Sequence, residues 1–302
     1  SSAGVTISGG LTSSADGSIN SITVGKGANS VAGNTAVGYT ALDAAVTGGE
    51  NTAIGQNALT TNTSGLENVA VGSNASNLNT TGIKNVAVGR STLYNNTTGS
   101  NNVAVGRTAL SSNTTADNNT AVGFEAMNGN TTGTENVAIG SSAFDANSTG
   151  SNSVAIGHNA LGANTTGTDN VAIGHGTLDA NTTGNYNVSI GRSSMTTSTT
   201  GSENVAVGYG AMLFLTTGSK NTALGLNSLQ GNTTADNNTA CGHQALKANT
   251  TGEDNVAIGT NALDANTTAN RNIAIGTNSL GANTTGASNT AVGYESLQVN
   301  TT

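Results

Sequence analysis

The sequence predicts an all-β chain, a parallel β-solenoid or β-roll of about sixteen 17-residue coils. Three observations lead there. First, one glycine recurs at Gly38, Gly55, Gly72, Gly89, Gly106, Gly123, Gly140, Gly157, Gly174, Gly191, Gly208, Gly225, Gly242, Gly259, Gly276 and Gly293, always seventeen residues after the last, with no insertion or deletion. Strict self-similarity at a short period marks a solenoid, in which each repeat is a coil that buries its apolar side on its neighbours. Second, the three residues before that glycine read branched, small, branched, as in Val103-Ala104-Val105, which is strand chemistry. Third, Asn113-Thr114-Thr115 and its equivalents recur between the strands, and Asn, Thr and the Gly that usually follows are turn formers.

Within a coil each position has a distinct character. The residue three before the glycine is β-branched, as at Val69, Val86, Val103, Thr120 and Val137; the residue just before it is Val or Ile in nearly every coil. Alanine stands between them, at Ala70, Ala87, Ala104, Ala121, Ala138 and onward, broken only by Ser189. Alternation along a strand puts the branched pair on one face and the alanine on the other. A large apolar residue follows four places after the glycine, as at Leu42, Leu59, Leu93, Leu110, Met127, Phe144 and Leu161. The branched pair and this leucine are assigned to the interior. The alanine ladder then faces outward, where small side chains let another surface approach closely. Ala70, Ala87, Ala104, Ala121 and Ala138 are accordingly expected to pack against other copies of the chain, three around a common axis.

The Asn-Thr-Thr-Gly stretch reads as the corner, with Asn and Gly supplying positive φ. In register, Asn62, Asn79, Asn96 and Asn113 stack one coil apart, about 4.8 Å, and form a hydrogen-bonded ladder. The asparagine before each strand, as at Asn85 and Asn102, is expected to do the same. Sixteen coils at that rise give a rod of roughly 75 Å. Irregular corners are expected at Ser76, with Leu78 taking its place, and at Met212 to Leu215. Phe214 and Leu215, if exposed, would mark a contact patch.

Residues 1–33 read differently. Ser8 to Gly10 and Ser13 to Gly17 look like turns, and Ile22 to Gly25 resembles the strand motif but lies thirteen residues before Gly38, which suggests one irregular coil. The chain divides into this N-terminal transition segment, 1–33, and the repeat array, 34–302. The array stops mid-repeat without a capping coil, so continuation or a covering chain is expected there.

Composition bounds the chemistry. Apolar residues make up 34% of the chain, aromatic residues 3% and charged residues 8%, with a net charge of −8. The eight basic residues are scattered along the sequence, which argues against nucleic acid and against docking on an anionic membrane. No apolar run approaches a membrane span. Cys241, the single cysteine, replaces the Val or Ile before a repeat glycine and reads as a small buried hydrophobe. His158 and His175 fall on adjacent coils just after the repeat glycine and are weak candidates for a metal or anion site; His243 holds the same place. That place also accepts Arg90, Arg107, Tyr209, Thr260 and Tyr294, which favours a variable solvent or lumen position. The acidic residues do not follow a calcium-binding β-roll pattern. The repeated Asn-Thr-Thr spells a glycosylation sequon, read here as a by-product of the turn. No catalytic constellation and no phosphate-cradling glycine motif is present, and no cofactor is expected.

The pentapeptide Asn-Val-Ala-Ile-Gly at 136–140, 170–174 and 255–259 resembles the head repeat of trimeric autotransporter adhesins, the YadA-like head. The longer motif with Asn-Thr-Thr-Gly and Ala-Leu looks like repeats of marine phage tail-fibre-like and bacterial surface proteins. The resemblance covers Asn34 to Thr302, with a coil longer than the family's. It implies a left-handed β-roll of three intertwined chains. The expected function is a non-enzymatic structural fibre or adhesin on a virion or cell surface, extracellular, with a cell-surface glycan or receptor as partner. The rivals are an ice-binding or ligand-binding monomeric solenoid, since Thr114-Thr115 and equivalents form ladders, and an enzyme using a groove between coils.

Overall fold

The computed structural model describes residues 17–19 and 22–301. Sixteen strands stack in parallel, from β3 (Thr35–Val37) and β4 (Thr52–Ile54) to β18 (Thr290–Val292), three residues each, with every residue paired to the one seventeen places on. This is the parallel β-solenoid the period predicts. Among the described residues the only helical element is a 3-10 turn at Ala28–Ser30.

The strand is short, yet hydrogen bonds join neighbouring coils almost all the way round. In one coil the N–H groups of Val103, Leu110, Ser112 and Thr114 donate to carbonyls of the next, at Asn119, Ala126, Asn128 and Thr131, over 2.8–3.1 Å. Gly106, Thr108 and Asn118 donate the other way, to Val88, Arg90 and Ser100. The ladder satisfies backbone groups that a thin coil could not otherwise bury.

The interior reverses the expected faces. Ala70, Ala87, Ala104, Ala121 and Ala138 are fully buried inside the coil, while the branched residues on either side of each point outward and are half-buried or exposed. These alanines therefore do not form an interchain surface. The reason is volume. A 17-residue coil closes tightly, and its core already holds Leu110 or its equivalent, a second small residue such as Ala109, and two asparagines. Opposite that leucine only an alanine fits at close-packed density. Leucine is buried as expected, with Met127 and Phe144 in the same slot.

Two of the expected irregular corners are regular. Ser76 keeps the leucine slot, fully buried with its N–H bonded to Thr92 at 2.9 Å, and Leu78 does not replace it. At the second, Met212 fills the leucine slot and Leu215 the asparagine slot, both fully buried. Nor does the corner use positive φ where expected. Asn62 and Gly65 lack it, and left-handed residues recur instead at Asn57, Leu59 and Glu67. Gly65 is needed for closeness: a Cβ there would lie 2.5 Å from the Gly82 carbonyl oxygen.

Ile22–Gly25 does not join the parallel stack. β2 (Ile22–Gly25) pairs antiparallel with both β1 (Gly17–Ile19) and β3. The following residues close over the first coil, with Ala28 N–H donating to Leu42 at 2.9 Å and Asn29 Nδ2 to Val46 at 3.0 Å. The turn expected at Ser8 to Gly10 lies outside the described residues, as does that at Ser13 to Gly17 apart from Gly17, which begins β1.

Candidate functional site

Strand alternation fixes what the rod shows. With alanine inward, the columns three before and one before each glycine face outward. The inner of these two is Val, Ile, Leu or Cys in every coil, and the other is Val, Ile or Thr. Ile139, Ile258 and Ile273 are 40%, 40% and 39% exposed. The result is a continuous apolar stripe along one face, edged by a column of mixed Val, Ile and Thr. Cys241 belongs to it, half-buried and free, rather than to the interior.

The glycine ends the strand. Gly106 takes φ 133, and a Cβ there would lie 2.2 Å from the Gly123 carbonyl oxygen, so the backbones of adjacent coils touch at this column. The next residue projects to solvent beside the stripe. This column gathers residues that looked scattered in the sequence: three of the four arginines, Arg90, Arg107 and Arg192, and all three histidines. It holds no acid. Its members stack at the coil spacing. The His158 and His175 rings lie 5.2 Å apart, inclined 15°, and the Arg107 guanidinium sits 5.5 Å from the Phe124 ring centre.

Acids lie elsewhere. Asp145, Asp179 and Asp264 sit five places after the glycine, where burial pushes each carboxyl above its ordinary range. For Asp179 the imidazoles of His158 and His175 partly oppose that rise. Among the described residues no three His, Cys, Asp or Glu side chains are placed to hold a metal ion. His158 and His175 thus form a stacked, exposed pair, as adjacent coils require. No described helix is long and apolar enough to cross a membrane.

Phe214 is 51% exposed, but Leu215 is fully buried, so the contact-patch expectation fails for Leu215. The sequon asparagines are equally inaccessible. Asn79 and Asn96 are fully buried, each bonding the asparagine one coil earlier at 2.8 and 2.9 Å. A folded coil offers no amide for glycosylation at these sites.

The chain matches no family model, no curated protein and no solved structure.

Proposed function

We propose that this chain is a non-enzymatic structural rod, a segment of a fibre or adhesin on a virion or cell surface, in which three copies pack along the apolar stripe. The observation that carries this reading is the stripe itself. Monomeric proteins rarely expose contiguous apolar patches beyond a few hundred Å². Here outward Val and Ile continue coil after coil at constant register. A partner must offer a surface with the same repeat, and a second copy of this chain does so by construction. A rod with uniform coils also suits a spacer, because each coil adds a fixed rise and no loop interrupts it. The resemblance to YadA-like heads points the same way on number, location and attachment.

Light scattering on the whole chain tests this. A mass three times 29.4 kDa that persists on dilution is expected. A stable monomer overturns the trimer.

One observation favours an ice-binding rival. Thr81, Thr98, Thr115 and Thr132 form an exposed ladder at the coil spacing. It is a single rank on a corner, because the preceding threonines turn their hydroxyls into the backbone, as Thr97 does on Thr114 at 3.0 Å. Absence of thermal hysteresis is expected; ice shaping would favour the rival.

A further inference from the structure

We propose that the column just after the repeat glycine is a binding ridge for an extended acidic polysaccharide, one carrying carboxylates along its length. The proposal gives the attachment part of the fibre reading a site and a ligand class. Its core is Arg90, Arg107, Phe124, His158, His175 and Arg192, all exposed on one line.

Three features support this occupant. The first is charge segregation. The chain carries a net charge of −8, yet this column has cations and no acids. Acids concentrate instead five places before the glycine, at Glu50, Glu67, Glu135, Asp169, Glu203 and Asp254. The arginines carry the fixed charge of the ridge, and Asp179, whose carboxyl feels both imidazoles, lies beside the histidine pair. Guanidinium groups bind carboxylates with two parallel hydrogen bonds.

The second feature is flat faces. Phe124 and Tyr209 are exposed on the same column as the arginines, Phe124 with the Arg107 guanidinium over its ring. The C–H face of a pyranose packs on such surfaces, and its carboxylate reaches a neighbouring guanidinium. The third is pitch. Strand pairing sets the column spacing at about 4.8 Å. An extended 1,4-linked polyuronate, polygalacturonate included, advances by a similar distance per sugar, so successive sugars meet successive coils. Nucleic acid is the competing polyanion, and its phosphates call for dense Lys and Arg, which three arginines on one column do not supply.

The test is biolayer interferometry on the full chain with polygalacturonate, using dextran as neutral polymer and single-stranded DNA as the competing polyanion. The triple variant R90A/R107A/R192A is compared with wild type, with circular dichroism and light scattering confirming the fold and mass of both. Salt-sensitive binding of polygalacturonate is expected, weakened roughly tenfold or more in the triple variant. Dextran is expected not to bind. No binding by wild type, or binding unchanged in the variant, overturns the ridge. So does tighter binding of DNA, which would make it a phosphate surface. A change of mass in the triple variant would make the ridge a contact between copies and overturn it too. A trimer that binds no polyuronate keeps the fibre reading and loses the ridge; a monomer that binds keeps the ridge and loses the trimer.

Discussion

Leu59, Leu93 and Leu110 hold φ of 50°, 51° and 52°, within two degrees of one another, in the left-handed region, once per coil. That conformation costs a non-glycine residue about 1–3 kcal/mol and persists only where surroundings impose it. Here the side chain is fully buried, and the N–H is bonded across the coil, as Leu110 to Ala126 at 3.0 Å. Ser76 takes the same backbone, φ 47, but its buried Oγ has no hydrogen-bond partner. Ser76→Leu should raise the unfolding free energy by about 2 kcal/mol, through restored burial and removal of the orphan hydroxyl. Urea titration reads this, and a fall in stability would show the slot too small at that coil. The carboxyls of Asp145, Asp179 and Asp264 make a second residue-scale case. Burial raises their folded values above 3.8, so ionisation disfavours the fold. Their penalty is present at neutral pH and lifts as pH falls through the raised values. D145N/D179N/D264N should melt higher than wild type at neutral pH, and the gap should close near pH 4. A gap that stays constant with pH would refute the linkage.

At the scale of elements, two asparagine ladders hold the coils in register. The outer one passes from Asn85 to Asn102, where Asn85 Oδ1 accepts from the Asn102 N–H at 3.0 Å; it continues through Ser153, whose Oγ accepts from the Asn170 N–H at 3.2 Å. The inner ladder runs from Asn62 to Asn181 and then breaks at Ser198 and Leu215, resuming at Asn232. The break leaves Asn181 Oδ1 and Ser198 Oγ buried without partners. Ser198→Asn supplies the missing donor to Asn181 and should stabilise the rod by about 1 kcal/mol. Differential scanning calorimetry checks it, and an unchanged or lower melting temperature would mean that the Leu215 packing has closed the space.

For the whole molecule, the apolar stripe and the buried alanines make opposite predictions. Val154→Lys with Val171→Lys places charges on two outward, half-buried positions, so the coil should keep its fold while the assembly dissociates. Ala155→Leu overfills an interior site that is fully buried, and should cost about 1–3 kcal/mol of stability. Light scattering and circular dichroism on both variants separate the two. Retained mass in the lysine variant would remove the stripe as the contact.

Much of this was legible in the sequence. The glycine period determined the parallel stack and its register, because any offset other than a multiple of seventeen would bring unlike positions opposite one another. The asparagines at Asn62 and Asn85 and the leucine slot were legible for the same reason: identical side chains one coil apart must meet. Which face of the strand turned inward was not legible. Alternation separates Ala104 from Val103 and Val105 but gives no sign, and the general preference for large apolar residues inside chose wrongly. The tertiary structure decided it through the cross-section of the coil, which has room for one leucine and an alanine but not for a second branched pair. That choice also decided the surface. By turning the branched residues out it made the stripe, and by stacking the coils it brought Arg90, Arg107 and Arg192, dispersed in the sequence, onto one line.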